Sequence, residues 1–325
     1  MKLSNSQLDR ARGVLVGCAV GDALGAGLEF GPVINYPQAI TMSGGGTMGW
    51  EPGEWTDDTD LSIVIAKAAA KYGTLNSTQS LDEISLGFHE WFRTATDCGN
   101  QIHGVLSSAL VNGTSASSMQ EAALEYVSKK AQSDGNGSLM RTSPVALLNL
   151  NNPEGLARDA HLISALTHPN QDSTEACVIW CCAIRRAVLD GTIEAAKAGL
   201  SEGISLLESG RQSFWNHIFE KAESTEPWDC QKNGWVIGAI QAAWSAVMCV
   251  NPHEAQPSNP FTKGVDHAVR CGDDTDTVGA IAGALLGAIY GLSSIPSDWA
   301  EAINGWPSYK KDDLVNLVDQ IVAHG

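Results

Sequence analysis

Nowhere in these 325 residues do eighteen apolar residues follow one another without interruption, so no segment has the length and polarity of a membrane-spanning helix. Met1 to Gln7 lack the apolar core of a secretory signal and lead straight into an amphipathic segment, so the expected compartment is the cytoplasm and no membrane partner is expected. Basic residues are scarce. Lys and Arg number 20 against 37 Asp and Glu, a net charge of −17, which argues against general nucleic-acid binding because that depends on cations neutralising phosphates. Period-two strand patterns are almost absent, which leaves little material for a sheet. Cysteine pairs at finger-like spacing are missing as well. Cys177-x₃-Cys181-Cys182 has no second ligand pair, so structural zinc is disfavoured and the eight cysteines read mostly as buried, reduced thiols.

What the sequence does contain is helical periodicity. A first helix is expected from about Ser6 to Gly21, with Leu8, Ala11, Val14, Leu15 and Cys18 on one apolar stripe. Gly17, Gly21 and Gly25 follow a helix rather than a strand and lack dinucleotide-fingerprint spacing, so they read as a close helix–helix contact. Further helices are expected near 61–72, 80–94, 101–111, 117–131, 142–150, 153–166, 172–190, 193–208, 211–222, 233–249, 261–270, 277–290 and 311–323. Between Pro32 and Trp55, glycines and Pro52 mark a long irregular loop. Turn residues near 149–155 and 251–260 read as loops within one body, giving an all-α chain with a single domain over residues 1–325, taken as a monomer. Trp180, Trp235 and Trp244 fall on apolar faces and are assigned to the core, whereas Trp55 is placed on the wall of a cleft.

Two acidic runs, Thr56-Asp57-Asp58-Thr59 and Asp273-Asp274-Thr275-Asp276-Thr277, concentrate carboxylates and hydroxyls, the hard oxygen donors that Mg²⁺, Mn²⁺ or Ca²⁺ prefers. Adjacent buried carboxylates repel one another and need cations to neutralise them. Each run leads into an apolar helical segment and so sits at a helix N-terminus entering the core, where an isolated run would read only as a cap. The repetition points to two halves of one metal site, with the choice between one ion and two left open.

Gly21-Asp22-Ala23-Leu24-Gly25, Trp55-Thr56-Asp57-Asp58-Thr59, Asn136-Gly137-Ser138-Leu139-Met140-Arg141 and Gly272-Asp273-Asp274-Thr275-Asp276-Thr277 occur in that order. Together they resemble the ADP-ribosylglycohydrolase family, which includes the enzymes that reactivate ADP-ribosylated dinitrogen reductase, over about residues 10–290. The resemblance implies a compact, multi-helix orthogonal bundle with a binuclear Mg²⁺ or Mn²⁺ centre in a cleft. Thr56, Asp57 and Asp58 would supply one side of that centre, and Asp274, Asp276 and Thr277 the other. Asp273 stands where the family often has glycine, which leaves open a partner near the metals, a surface residue or a modifier of substrate choice. By the same resemblance Glu29 and Asp97 carry acid–base work, and Gly99, Asn100, Asn136, Gly137, Ser138 and His168 bind substrate. Arg141 would either reach phosphate or anchor its loop through a buried carboxylate.

The implied activity is metal-dependent cleavage of the bond between ADP-ribose and an acceptor, most often protein arginine. The partners are then an ADP-ribosylated protein and ADP-ribose itself. A carboxylate close to two cations suits a base or a ligand, whereas one farther off suits a proton shuttle, so Glu29, if it is the closer, is favoured for the first role and Asp97 for the second, with the division left open. The competing readings are an ADP-ribose-binding module without turnover, a binuclear-metal phosphoesterase, and a purely structural helical protein.

Overall fold

The structure, a computed structural model, describes residues 2–130, 133–230, 232–250 and 259–324, so most of the loop expected at 251–260 lies outside the described residues. The chain runs through α1 (Asn5–Ala26), α2 (Asp57–Tyr72), α3 (Thr78–Phe92), α4 (Asn100–Ala109) and α5 (Ala116–Lys129). It continues through α6 (Ser143–Leu148), α7 (Pro153–Ala165), α8 (Gln171–Asp190), α9 (Ile193–Ser205) and α10 (Ser209–Ala222). It ends with α11 (Val236–Met248), α12 (Pro260–Ala268), α13 (Thr275–Tyr290), α14 (Ser297–Ala302) and α15 (Lys311–Val322). Between the last two helices lies a two-stranded antiparallel hairpin, Asn304–Gly305 with Tyr309–Lys310. The chain is therefore all-α, and each helix expected from the periodicity is present.

A capping box starts α1: Ser4 Oγ accepts from the Gln7 N–H, and the Gln7 side chain accepts from the Ser4 N–H. The helix then runs past Gly21 to Ala26, although glycine costs about 1 kcal/mol relative to alanine inside a helix. Packing outweighs that cost. Gly13, Gly17, Gly21 and Gly25 all lie against the backbone of α13, where a Cβ at Gly21 would stand 2.0 Å from the Gly279 carbonyl oxygen. Gly279, Gly283 and Gly287 return the contact from α13, so two helices meet backbone to backbone with almost no side chain between them. From Val14 to Ala26, and from Thr275 to Ile289, every residue is buried.

Around this central pair, α11 and α12 pack on α13, α8 packs on α7 and α9, and α15 closes over α1 and α2. The apolar core runs as one cluster from Ala11 to Ile321. Trp180 and Trp244 lie in it, as expected, and stack edge to face. Trp55 is in it too, not on a cleft wall, because its indole Nε1 donates to Asp60 Oδ1 at 2.9 Å while Trp91 Nε1 donates to Asp60 Oδ2 at 2.8 Å. Asp60 is thus a buried acid satisfied by two neutral donors. All eight cysteines are free, and among the described residues no helix is long and apolar enough to cross a membrane.

Candidate functional site

The expected acidic runs fall in the first turns of α2 and α13. Thr56 is the N-cap of α2, but its side chain caps nothing. The capping acceptor comes from α1: Asp22 takes the Thr56 N–H at 2.9 Å, the Thr59 N–H at 3.0 Å and the Thr59 hydroxyl at 2.6 Å. A carboxylate at a helix N-terminus is stabilised by the free N–H groups and the helix dipole. Asp22 thereby locks α2 to α1, and the glycine contact locks α1 to α13.

These contacts gather carboxylates. Asp22, Asp58 and Asp276 each place an oxygen within 4.8 Å of the others, and so do Glu29, Asp274 and Asp276. Asp276 belongs to both triads, and among the described residues no salt bridge neutralises any of the five. Thr56 Oγ1 and Thr277 Oγ1 both donate to Asp58 Oδ2, at 3.1 and 3.4 Å, which leaves Asp58 Oδ1 buried with no hydrogen-bond partner. Both oxygens of Asp60 have donors, whereas Asp58 Oδ1 has none among the described residues. An orphaned buried carboxylate oxygen amid all-carboxylate triads fits a hard divalent cation and suits neither zinc–thiolate nor zinc–imidazole chemistry.

The crowding also moves proton affinities. Burial, then Asp97, Asp274, Asp57 and Asp22, pushes Glu29 up to about 9. Burial pushes Asp22 up to about 7 against the hydrogen bonds it accepts. Asp57, Asp58 and Asp276 are held well above the ordinary carboxylate range by burial and by their acidic neighbours. Asp97 and Asp274 are raised as well, by burial first. Without cations these carboxyls bind protons more tightly than ordinary carboxylates do.

At the triads opens a cleft of about 530 Å³ whose lining includes the acidic residues Glu29, Asp57, Asp97, Asp274 and Asp276 together with Gly99, Asn100, Gly135, Asn136, Gly137, His168 and Thr277. The Gly99 N–H donates to Asp57 Oδ2 at 3.4 Å. Ser138 does not reach the cleft: its hydroxyl is buried behind the loop, where it accepts from Ser164 Oγ at 2.8 Å. Thr56 and Asp58 also lie beneath the cleft floor, fully buried. Asp97 lines the cleft but belongs to neither triad, whereas Glu29 belongs to one.

Arg141 does not line the cleft and pairs with no carboxylate among the described residues. It is fully buried, donates from Nη2 to Thr167 Oγ1 at 2.6 Å, and stacks 4.6 Å above the Phe88 ring. Asp273 is exposed, and its φ of +53° explains why a glycine would be at home there. Its backbone pairs with the loop that presents Glu29: Phe30 N–H donates to Asp273 O at 2.7 Å, and Asp273 N–H donates to Gly31 O at 2.9 Å. Asp273 is therefore a surface residue that braces Glu29 through its main chain. Asp273→Gly is expected to keep stability and hydrolysis, whereas Asp273→Val should lose about 1–2 kcal/mol in urea unfolding because a β-branched residue resists positive φ. A large activity loss in the glycine variant would instead assign a role to the carboxylate.

The sequence reading missed one wall. It placed a helix over 233–249, but α11 starts at Val236, and Asn233 and Gly234 form a turn. Asn233 ties three segments together: its Nδ2 donates to Gly272 O at 2.8 Å, its Oδ1 accepts from the Asp274 N–H at 3.3 Å, and its backbone carbonyl accepts from Asn136 Nδ2 at 2.9 Å. Asn136 Nδ2 also donates to Asp274 Oδ2 at 2.7 Å. Trp235, assigned to the core, lines the cleft instead and is only half-buried. The Asn233-Gly234 dipeptide was the available signal, being a turn marker ahead of an apolar run.

Comparison with known proteins agrees with the all-α fold. The sequence model of the ADP-ribosylglycohydrolase family matches residues 3–325. ADP-ribosyl-[dinitrogen reductase] glycohydrolase of Rhodospirillum rubrum is 28% identical over 301 residues, covering 91% of this chain and 90% of the relative. ADP-ribosylarginine hydrolase Tri1 of Serratia proteamaculans is 26% identical over 330 residues, covering 98% and 80%. A solved structure titled ADP-ribosylglycohydrolase-related protein complex superposes with a TM-score of 0.75 at 26% identity, covering 99% of each chain.

Proposed function

Because the chain belongs to the ADP-ribosylglycohydrolase family, we propose that it is a metal-dependent hydrolase that releases ADP-ribose from modified protein arginine, acting as a single-domain cytoplasmic monomer. The observation that supports this reading most directly is the pair of carboxylate triads sharing Asp276 at the base of the cleft, with Asp58 Oδ1 unpartnered. The relative whose name specifies ADP-ribosylarginine weights the acceptor towards arginine.

Asp22, Asp58 and Asp276 would hold one divalent cation, and Glu29, Asp274 and Asp276 a second, Mg²⁺ and Mn²⁺ both suiting such a hard oxygen set. Bound there, the cations supply charge neutralisation and Lewis-acid polarisation of oxygen ligands. Everything else falls to the chain. Thr56 and Thr277 orient Asp58 by donating to one of its oxygens, leaving the other free. Asn136 fixes Asp274 in the same way. Glu29, a member of one triad that also lines the cleft, is placed to take a proton from the water whose oxygen joins the ribosyl carbon, and Asp97, outside both triads, is placed to pass one to the departing acceptor. Gly135 and Gly137, lacking side chains, let a ligand approach the loop backbone and the His168 ring.

The test is release of free ADP-ribose from an ADP-ribosyl-arginine protein with Mg²⁺, with Mn²⁺ or with EDTA. Metal-dependent release is expected; Asp274→Ala, which removes a proposed cation ligand, should lower it at least about 100-fold, and Asp57→Ala, outside both triads, about 10–100-fold, the scale of losing a partner just beyond the ligands. Binding of ADP-ribose without release would leave a binding module. Phosphate release in place of ADP-ribose would make the protein a phosphoesterase.

A further inference from the structure

Thr167 is fully buried and sits between two nitrogen groups. Its Oγ1 accepts from Arg141 Nη2 at 2.6 Å and lies 2.8 Å from His168 Nδ1. A guanidinium only donates, and a hydroxyl has one proton to give. With one lone pair occupied by Arg141 and no other acceptor within reach, the Thr167 proton has a single destination, His168 Nδ1. Were Nδ1 protonated, both neighbours would donate to Thr167 and the buried hydroxyl proton would have no acceptor. The remaining ring nitrogen must then carry the imidazole proton. We infer that Thr167, backed by Arg141, holds His168 as the neutral Nε2–H tautomer and so makes it a hydrogen-bond donor to a ligand oxygen in the cleft.

The surroundings fix the ring as well as its proton. His168 N–H donates to Ser164 O at 2.8 Å, His168 O accepts from Ser164 Oγ at 3.1 Å, and Thr167 O accepts from Gln101 Nε2 at 2.9 Å. The edge bearing Cε1 and Nε2 faces the glycine loop, so closely that a Cβ at Gly137 would come within 3.0 Å of Cε1. Nε2 has no partner among the described residues, and His168 lines the cleft. Burial and the Arg141 charge both hold the ring well below the usual histidine range, which agrees with a neutral donor. Arg141 itself is pushed down to about 10 by burial and keeps its charge at neutral pH. Arg141 and Thr167 do not line the cleft and are positioning residues. The tautomer follows from the hydrogen bonds alone, while its use on a phosphate or ribose oxygen rests on the ADP-ribose reading above.

Nitrogen NMR of the ¹⁵N-histidine-labelled protein, with His168→Asn to assign the signal, should show His168 with an unprotonated Nδ1 and a protonated Nε2. Thr167→Ser keeps the hydroxyl and should keep both that signature and the affinity for ADP-ribose. Thr167→Val should lose the signature and weaken ADP-ribose binding about tenfold by calorimetry, the scale of one hydrogen bond. An Nδ1–H tautomer in the wild type, or a Thr167→Val protein with an unchanged tautomer and affinity, would overturn the inference. If Thr167→Val does not fold, the wild-type and Thr167→Ser spectra still decide the tautomer. A wild type with the expected tautomer but no affinity for ADP-ribose would overturn the donor's proposed use and the functional reading, and leave the tautomer standing.

Discussion

Asp276→Asn is expected to lower ADP-ribose release by about 10²–10³-fold while making the cation-free protein more stable than the wild type. The first effect follows because Asp276 is the carboxylate common to both triads, so its loss removes a ligand from two proposed cation positions at once. The second follows because it also removes a buried charge that raises the proton affinity of Asp58. The amide keeps an oxygen where Asp276 Oδ1 accepts from the Thr277 N–H at 2.9 Å, so the turn survives.

The pH dependence has a definite sign. Glu29 and Asp22 are raised in the folded chain, to about 9 and about 7, from ordinary values of 4.5 and 3.8. A raised carboxylate gives the fold stability that is fully present below the unfolded value and lost as pH rises through the folded one. In EDTA the wild type should therefore lose stability steadily between about pH 4 and pH 9, and Asp276→Asn should lose less. Added Mg²⁺ or Mn²⁺ should raise the wild-type Tm more at pH 8 than at pH 5, because cations binding the folded state replace the protons. Thermal unfolding at those two pH values, with and without metal, tests all of this. A variant less stable than the wild type in EDTA at pH 8 would show that the crowded carboxylates are not in conflict.

Gly21→Ala carries the second large effect, from a single methyl group. That methyl would stand 2.0 Å from the Gly279 oxygen and 2.4 Å from its carbonyl carbon, both backbone atoms of a buried helix that no rotamer change can move. Overpacking a core costs about 1–3 kcal/mol and sometimes more, and here, with backbone against backbone, at least about 3 kcal/mol is expected. Gly210→Ala is the control. Nothing lies within 4 Å of its new Cβ, so α10 should gain up to about 1 kcal/mol from better helix propensity. The Gly21 variant should also lose much of its metal-induced Tm gain, since α1 carries Asp22 and α13 carries Asp276. An unchanged urea midpoint would mean the two helices can part without loss.

Much of this was legible in the sequence because the signals are local. Apolar periodicity marked the helices, and small residues four apart in α1 marked a close crossing. Two acidic runs at helix starts marked the two sides of the site. What escaped depends on partners distant in sequence. Asp22 lies inside a glycine-rich helix, and nothing nearby shows that its carboxylate caps α2. Trp55 and Trp235 both precede helices, yet one indole finds Asp60 and turns inward while the other remains at the cleft. The extension of α1 to Ala26 is set by α13, which overrides the weak propensity of its glycines. Asn233 was absorbed into a helix because the apolar run after it masked the turn.

The crossing of α1 and α13 also dictates when in its life the chain can first act. Its partners are residues 13–25 and 276–287, nearly the whole length apart, and two carboxylates of the candidate site, Asp22 and Asp276, ride on the same two helices. A growing chain that has emerged only as far as α12 carries Asp22, Asp57 and Asp58 but has neither the surface that seats Gly21 nor the Asp276 shared by both triads. Contacts of such long sequence separation form late, after much of the ordering entropy has been spent. Prematurely terminated chains are therefore expected to be inert fragments, and the proposed ability to hold a cation would arrive together with the completed fold.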